Sequence, residues 1–453
     1  MRWNGLLLWL LISLWAANVY AANDPSFDPA TNPPTPQTYL RLANQIEAHL
    51  KTGVLAVWFP RCIDNEHGGF YPNFRENWSR GPNNDKFLVF QARMTWVTAQ
   101  IAQRYPELSP QYRQWTLHGL DFLDKTLWDQ QDGGFYWGLD ENGKIKADWG
   151  TEKHVYGIGF GIYAASAVYA TTKEPRALNL ATRAFNWLDQ HAHDNVNGGY
   201  YEALTRDGKP ILKPNPATPD KKMDGIGTEY GLKSMNSHIH LLEALTELYR
   251  VWPNPVLKQR LQEMFLIVRD KIAAEPGYLN LYFTPDWKPV PDNDSFGHDV
   301  ETAYLLLEAA TALGKPDDAR TRTVARHLVD HALQWGWDET YGGFYDKGAA
   351  SAPASGLDKV WWTQAEGLNA LLLMHEKFGG QTPRYFHAFL KQWDFIWKHQ
   401  IDHRYGEWYE TVSREGNSKP GADKGQIWKA AYHNGRALLN VSERLRILAR
   451  RAK

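Results

Sequence analysis

The sequence predicts an all-α (α/α)6 barrel of twelve helices, with aromatic-rich loops and short β-hairpins gathered at one end. Three observations carry this. A turn motif recurs six times at nearly constant spacing, and each interval holds two helical stretches. Hydrophobic residues also make up 43% of the 453-residue chain, enough for a large core.

The motif reads DNEHGGFY (64–71), DQQDGGFYW (129–137), DNVNGGYYEA (194–203), EPGYLNLYF (275–283), DETYGGFYD (338–346) and DHRYGEWYE (402–410). Its second glycine falls at 69, 134, 199, 277 and 343, and Glu407 takes that place in the sixth copy, so the steps are 65, 65, 78, 66 and 64 residues. Self-similarity at such a period marks a repeat architecture. Asp opens the turn, Gly-Gly admits positive φ, and the aromatic pair enters a short extended piece. The third interval contains NSHIHLLEALTELYRVW and PVLKQRLQEMFLIVRDKI, both with apolar residues at i, i+3, i+4 and i+7. A single pair cannot bury its apolar stripe, so the pairs stack, and closure into a ring leaves no bare end.

The N-terminus reads MRWNGLLLWLLISLWAANVYA. Arg2, an apolar run from Leu6 to Ala17 and the small residues near Ala21 predict a signal peptide over 1–21. The run is too short to span a bilayer, which takes about 20 residues. Residues 22–38 are then expected to be a linker and 39–453 the barrel, in a protein that is secreted or periplasmic and not stably membrane-bound. Cys62 is the single cysteine, so no internal disulfide forms. A net charge of −1 leaves no basic footprint for nucleic acid. With 21 Trp, 22 Tyr and 18 Phe, the chain has aromatics both for its core and for stacking on sugar rings.

About 20–26 residues after each turn the next helix begins, and there an ionisable residue interrupts an apolar run. In order these are Arg93, His154, His240, His298, Glu366 and His433. His240 comes 41 residues after its turn, because a long loop (205–232) precedes it. One such group per repeat, at one level of six inner helices, is expected to converge on the barrel axis. His240/Glu243 and His298/Glu301 stand at i, i+3, where Glu can orient the imidazole or bond a ligand. A metal site on these groups is the competing reading. Arg93 in the same mouth would repel a cation, so no metal and no cofactor are expected.

KSMNSHIHLLEA, SFGHDVE, VWWTQAE and WKAAYHNGR resemble the corresponding stretches of cellobiose 2-epimerases, in the N-acylglucosamine 2-epimerase superfamily, which also holds mannose isomerases. The resemblance runs over about residues 40–448. It implies an (α/α)6 barrel without metal, and acid/base roles for His298 and His433. It also implies ligand contacts by Arg93, His240, Glu243, Glu301, Trp362, Glu366 and Trp428. With the residues read above, the expected catalytic set is His298, His433 and His240. The expected substrate contacts are Arg93, Glu243, Glu301, Trp362, Glu366, Trp428 and His154.

The implied partner is a reducing disaccharide or monosaccharide, and the implied reaction is epimerisation at C2 of the reducing-end sugar. That reaction opens the ring, removes the C2 proton and returns one to the opposite face, which suits two imidazoles. Arg93 would stabilise the enediolate oxygen. An aldose–ketose isomerase of the mannose isomerase type would use the same site but deliver the proton to C1. A hydrolase needs two carboxylates flanking the bond, and this mouth is richer in His. Three features depart from the family pattern: the export segment, the long loop with KPNPATPDKKMDGIGTEYG, and Tyr304 where Trp often stands.

Overall fold

The computed structural model describes residues 27–146, 149–380 and 382–451; the expected signal peptide lies outside them. Twelve long helices are present among the described residues. They are α1 Pro36–His49, α2 Leu88–Arg104, α3 Ser109–Phe122, α4 Val155–Thr172, α5 Pro175–Ala192 and α6 Met235–Val251. The second half holds α7 Pro255–Ile267, α8 Phe296–Ala312, α9 Ala319–Trp335, α10 Trp361–Phe378, α11 Arg384–Phe395 and α12 His433–Arg451. The first starts three residues inside the expected linker, because Thr35 caps it and Pro36 takes its first turn, where a missing N–H costs nothing. Phe27 is buried against Trp393, so this part of the linker is packed chain.

The even-numbered helices form the inner ring. In α10 every residue from Thr363 to Met374 is buried, whereas α5 buries a single stripe through Leu180, Ala184 and Leu188. A helix buried all round belongs in a core, and one with a stripe belongs outside it. Inner helices pack in chain order, and each also packs on the outer helix that follows it. The last inner helix, α12, instead packs on α1, so the two ends of the chain make the sixth pair.

Short antiparallel ladders stitch the repeats together at one end. Residues 86–87 pair with 138–139, 153–154 with 203–204, 233–234 with 282–283, 294–295 with 347–348, and 359–360 with 411–412. The ring closes through a bridge between Phe74 and Gly425, where Lys424 N donates to Phe74 O at 2.7 Å. The hairpins expected at one end are there, and beyond the tight turns themselves each ladder joins one repeat to the next.

A buried lysine just before the inner helix anchors five of the six repeats. Lys86 meets Asp64 at 2.5 Å, Lys153 meets Asp129 at 3.1 Å and Lys233 meets Asp194 at 2.7 Å. Lys359 meets Asp338 at 3.0 Å and Lys429 meets Glu407 at 3.2 Å. The aspartates are those that open the turn motif. Glu407, the odd member, has φ +64, unusual for a residue with a side chain. Its carboxylate accepts two 2.8 Å contacts from Asn434 Nδ2 besides the lysine, contacts that a glycine could not make. In the fourth repeat Asp294 stands in the lysine's place.

Lys86→Met should cost about 3–5 kcal/mol, because it leaves Asp64 buried and unpaired. Urea denaturation measures this. The double variant Lys86→Met/Asp64→Leu should recover most of the loss, and no recovery would show that the pair is not the origin.

Candidate active site

The anchoring residue sets the register of the inner helices. Seven positions beyond it stand Arg93, Phe160, His240, Glu301, Glu366 and Arg436. His298 and His433 lie three positions earlier, about one turn nearer the hairpin end, and His154 precedes its helix as the N-cap. The expected single level of six ionisable groups is therefore two levels. The reason is that spacing counted from the turn absorbs loops of different length, while packing follows the helix start.

At the deeper level a charged network crosses the axis. Arg436, missing from the expected set, sits fully buried among three carboxylates: its guanidinium bonds Glu243, reaches Glu301 at 2.5 Å and reaches Glu366 at 2.8 Å. His240 Nδ1 lies 2.9 Å from Glu243, and Tyr432 OH donates to the same carboxylate at 2.9 Å. Arg93 donates to Tyr156 OH at 3.1 Å and to Trp428 O at 3.4 Å, with its guanidinium 4.5 Å from the Phe160 ring centre. The signal for Arg436 was present in WKAAYHNGR, at i, i+3 from His433 like the two His-x-x-Glu pairs. Tyr304 lies on this floor, 5.4 Å beneath the Arg436 guanidinium, away from the mouth.

At the upper level two histidines pack on the Trp362 ring, His298 with its centre 4.7 Å away and His433 with its centre 5.8 Å away. His433 Nδ1 lies 2.6 Å from Glu366, and His298 Nδ1 lies 2.7 Å from Ser295 Oγ. With Glu366 ionised, Nδ1 of His433 carries hydrogen and Nε2 offers its lone pair. Trp428 packs edge-on against Phe87 at 4.7 Å. Asn236, also outside the expected set, keeps a buried Oδ1 without a partner.

His154 is brought elsewhere. Its Nδ1 accepts from Tyr156 N at 3.1 Å and its Nε2 meets Asp224 at 2.9 Å. Both ring nitrogens are engaged by protein, so the expected sugar contact gives way to an anchor for the 205–232 loop, which carries Asp224.

Burial sets the protonation of the site. It pushes His298 down to about 3, with the positive charge of His240, Lys347 and Arg93 adding to the effect. Burial, then Arg93 and Arg436, pushes His433 well below the usual imidazole range. Burial raises Glu366 and Glu301, and Arg436 opposes it in both. Burial would raise Glu243 too, yet Arg436 and then His240 hold it down to about 2. The site thus favours neutral imidazoles, keeps Glu243 ionised and eases proton uptake at Glu301 and Glu366. Donor atoms of Glu301, Glu366 and His433 converge as metal ligands would. Arg436 Nη2 already bridges the two carboxylates, so these residues do not fit an ion there.

The sequence profile of N-acylglucosamine 2-epimerase (GlcNAc 2-epimerase) matches residues 69–437. The chain belongs to this epimerase family. Within the family, a cellobiose 2-epimerase of Bacteroides fragilis is 31% identical over 88% of this chain and 98% of its own length. A D-mannose isomerase of Marinomonas mediterranea is 27% identical, covering 88% of this chain and 97% of the relative. The solved structure of the cellobiose 2-epimerase from Spirochaeta thermophila superposes with a TM-score of 0.78 at 31% identity, over 91% of this chain and 98% of that one. The family's barrel architecture is the one described above.

Proposed function

We propose that this chain epimerises the reducing-end sugar of a disaccharide or short oligosaccharide at C2, by acid/base catalysis through an enediolate. The observation that carries this is the pair of imidazoles, half-buried His298 and buried His433, that both pack against Trp362. Ring opening breaks the bond from C1 to the ring oxygen, and the proton of the anomeric hydroxyl passes to that oxygen. Neutral His298 then takes the C2 proton, and the electron pair of that bond forms the enediolate, whose negative oxygen Arg93 stabilises. With Glu366 protonated, His433 gives its Nε2 proton to C2 from the other face while the carboxyl proton passes to Nδ1, leaving a Glu366 carboxylate. The reverse reaction exchanges the two roles. Trp362 and Trp428 offer flat faces to the sugar rings.

The test is to incubate cellobiose, mannobiose and mannose with the protein in D2O and follow C2 by NMR. The epimer with deuterium at C2 is expected, and no deuterium in any sugar overturns the proposal. Ketose without epimer would assign the mannose isomerase reaction, which delivers the proton to C1.

The pH profile follows from the same groups. His298, held at about 3, stays unprotonated at every pH above that, so it adds no acid limb to kcat/KM between about pH 5 and 7. Activity should fall on the alkaline side, as the Glu366–His433 pair loses its proton. Initial rates across pH 5–9 check this, and a kcat/KM that falls about tenfold for each pH unit below 7 would contradict it. Residues 1–21 further support export, which fractionation of expressing cells would test by finding the shortened chain outside the cytoplasm.

A further inference from the structure

We propose that Asp294, Asp299 and His331 form a buried structural Zn2+ site joining the start of α8 to α9, apart from the catalytic groups. His331 Nδ1 lies 3.5 Å from Asp294 Oδ2 and 3.5 Å from Asp299 Oδ2, and all three side chains are at most 1% exposed. His331 Nε2 lies 2.6 Å from Ala350 O, a pure acceptor, so Nε2 carries the hydrogen and Nδ1 turns its lone pair toward the carboxylates. Asp299 is aimed in the same way, since its other oxygen accepts Leu279 N at 3.1 Å.

Four buried donor atoms then converge without a hydrogen-bond partner: both oxygens of Asp294, Asp299 Oδ2 and His331 Nδ1. A buried polar atom left unpaired is costly, and four in one place call for a positive centre. A proton shared by Asp294 and Asp299, which lie close enough to bond each other, is the competing way to balance the charge, and the zinc content of the chain distinguishes the two. A tetrahedral ion with ligands at about 2.0–2.1 Å places donors about 3.3 Å apart, close to the spacing seen. One imidazole with two carboxylates selects zinc over calcium or magnesium, and the His331–Ala350 bond is the outer support that such a ligand needs.

The repeat supplies an independent argument. The other five repeats place a lysine ammonium where Asp294 stands, and each of those lysines meets an acid of its own turn. The fourth repeat lacks the turn Asp as well, having Glu275-Pro276-Gly277. The cation that ties turn to inner helix is missing only where two aspartates and a histidine gather, so a metal ion takes over the lysine's task.

The full chain, purified without a polyhistidine tag, should carry about one zinc by elemental mass spectrometry. Stripping with dipicolinate should lower Tm by roughly 5 °C or more, and added Zn2+ should restore it. Asp294→Asn keeps the shape and mimics a protonated acid; it should lose the zinc and show a lowered Tm that zinc does not correct. Should that variant not fold, Co2+ added to the stripped parent should give the visible absorption of a tetrahedral site, displaced by Zn2+. A parent chain without zinc whose Tm is the same with and without chelator overturns the proposal, as does Asp294→Asn with parental Tm.

Discussion

His433→Asn should lower conversion of one epimer into the other by at least about 10³-fold, near the upper range for loss of one acid/base group. His433 is the upper-level histidine joined to a carboxylate, with Nδ1 2.6 Å from Glu366. Its removal takes away the group that delivers a proton to one face of C2, and breaks the path by which Glu366 supplies that proton. Arg93, Trp362 and Trp428 are untouched, so KM should change far less than kcat. The signature is direction-specific: with the roles as assigned, His433→Asn should form enediolate from one epimer through His298 and fail to complete the reaction. Deuterium exchange from each epimer separately, with circular dichroism to confirm folding, makes the measurement. A loss below 10-fold would remove His433 from proton transfer.

Arg436→Met should be the most damaging single change to stability. Arg436 is 2% exposed and balances Glu243, Glu301 and Glu366 together. Without it three carboxylates remain buried with only His240, His433 and Tyr432 at hand. Losing one partner of a buried ion pair costs about 3–5 kcal/mol, and this residue serves three. The loss should ease below neutral pH, where protonation of the carboxylates removes their repulsion. The sign follows from burial: without Arg436 the pKa values of all three carboxyls rise, Glu243 from its lowered value, so the folded variant gains protons as pH falls and is stabilised relative to its unfolded chain. Thermal denaturation of Arg436→Met at pH 5 and pH 8 reads both effects. Parental stability at pH 8 would show that the network carries no such load.

Much of this molecule is legible without coordinates. The turn recurring every 64–78 residues, with two apolar-periodic stretches between copies, is enough for six helix pairs. Histidines interrupting apolar runs were equally visible, because a titratable group on a buried face needs a reason. Linear spacing failed where the loops vary. Arg93, His240 and Glu366 share a level, but His298 and His433 lie a turn above them, and His154 does not reach the axis. Arg436 was passed over because arginine reads as surface until three carboxylates from α6, α8 and α10 are seen around it.

By itself, then, the sequence determined local order: turns, helices, their number and the residue types offered to the axis. Periodicity and turn chemistry act over a few residues, and repetition multiplies their signal. Only the tertiary structure decided the pairings across repeats. These are α1 on α12, Phe74 beside Gly425 to close the ring, Arg436 among three glutamates, and the fourth repeat's acids facing His331. Such contacts join residues tens to hundreds of positions apart, and closure of the ring in a dry interior settles which charges meet.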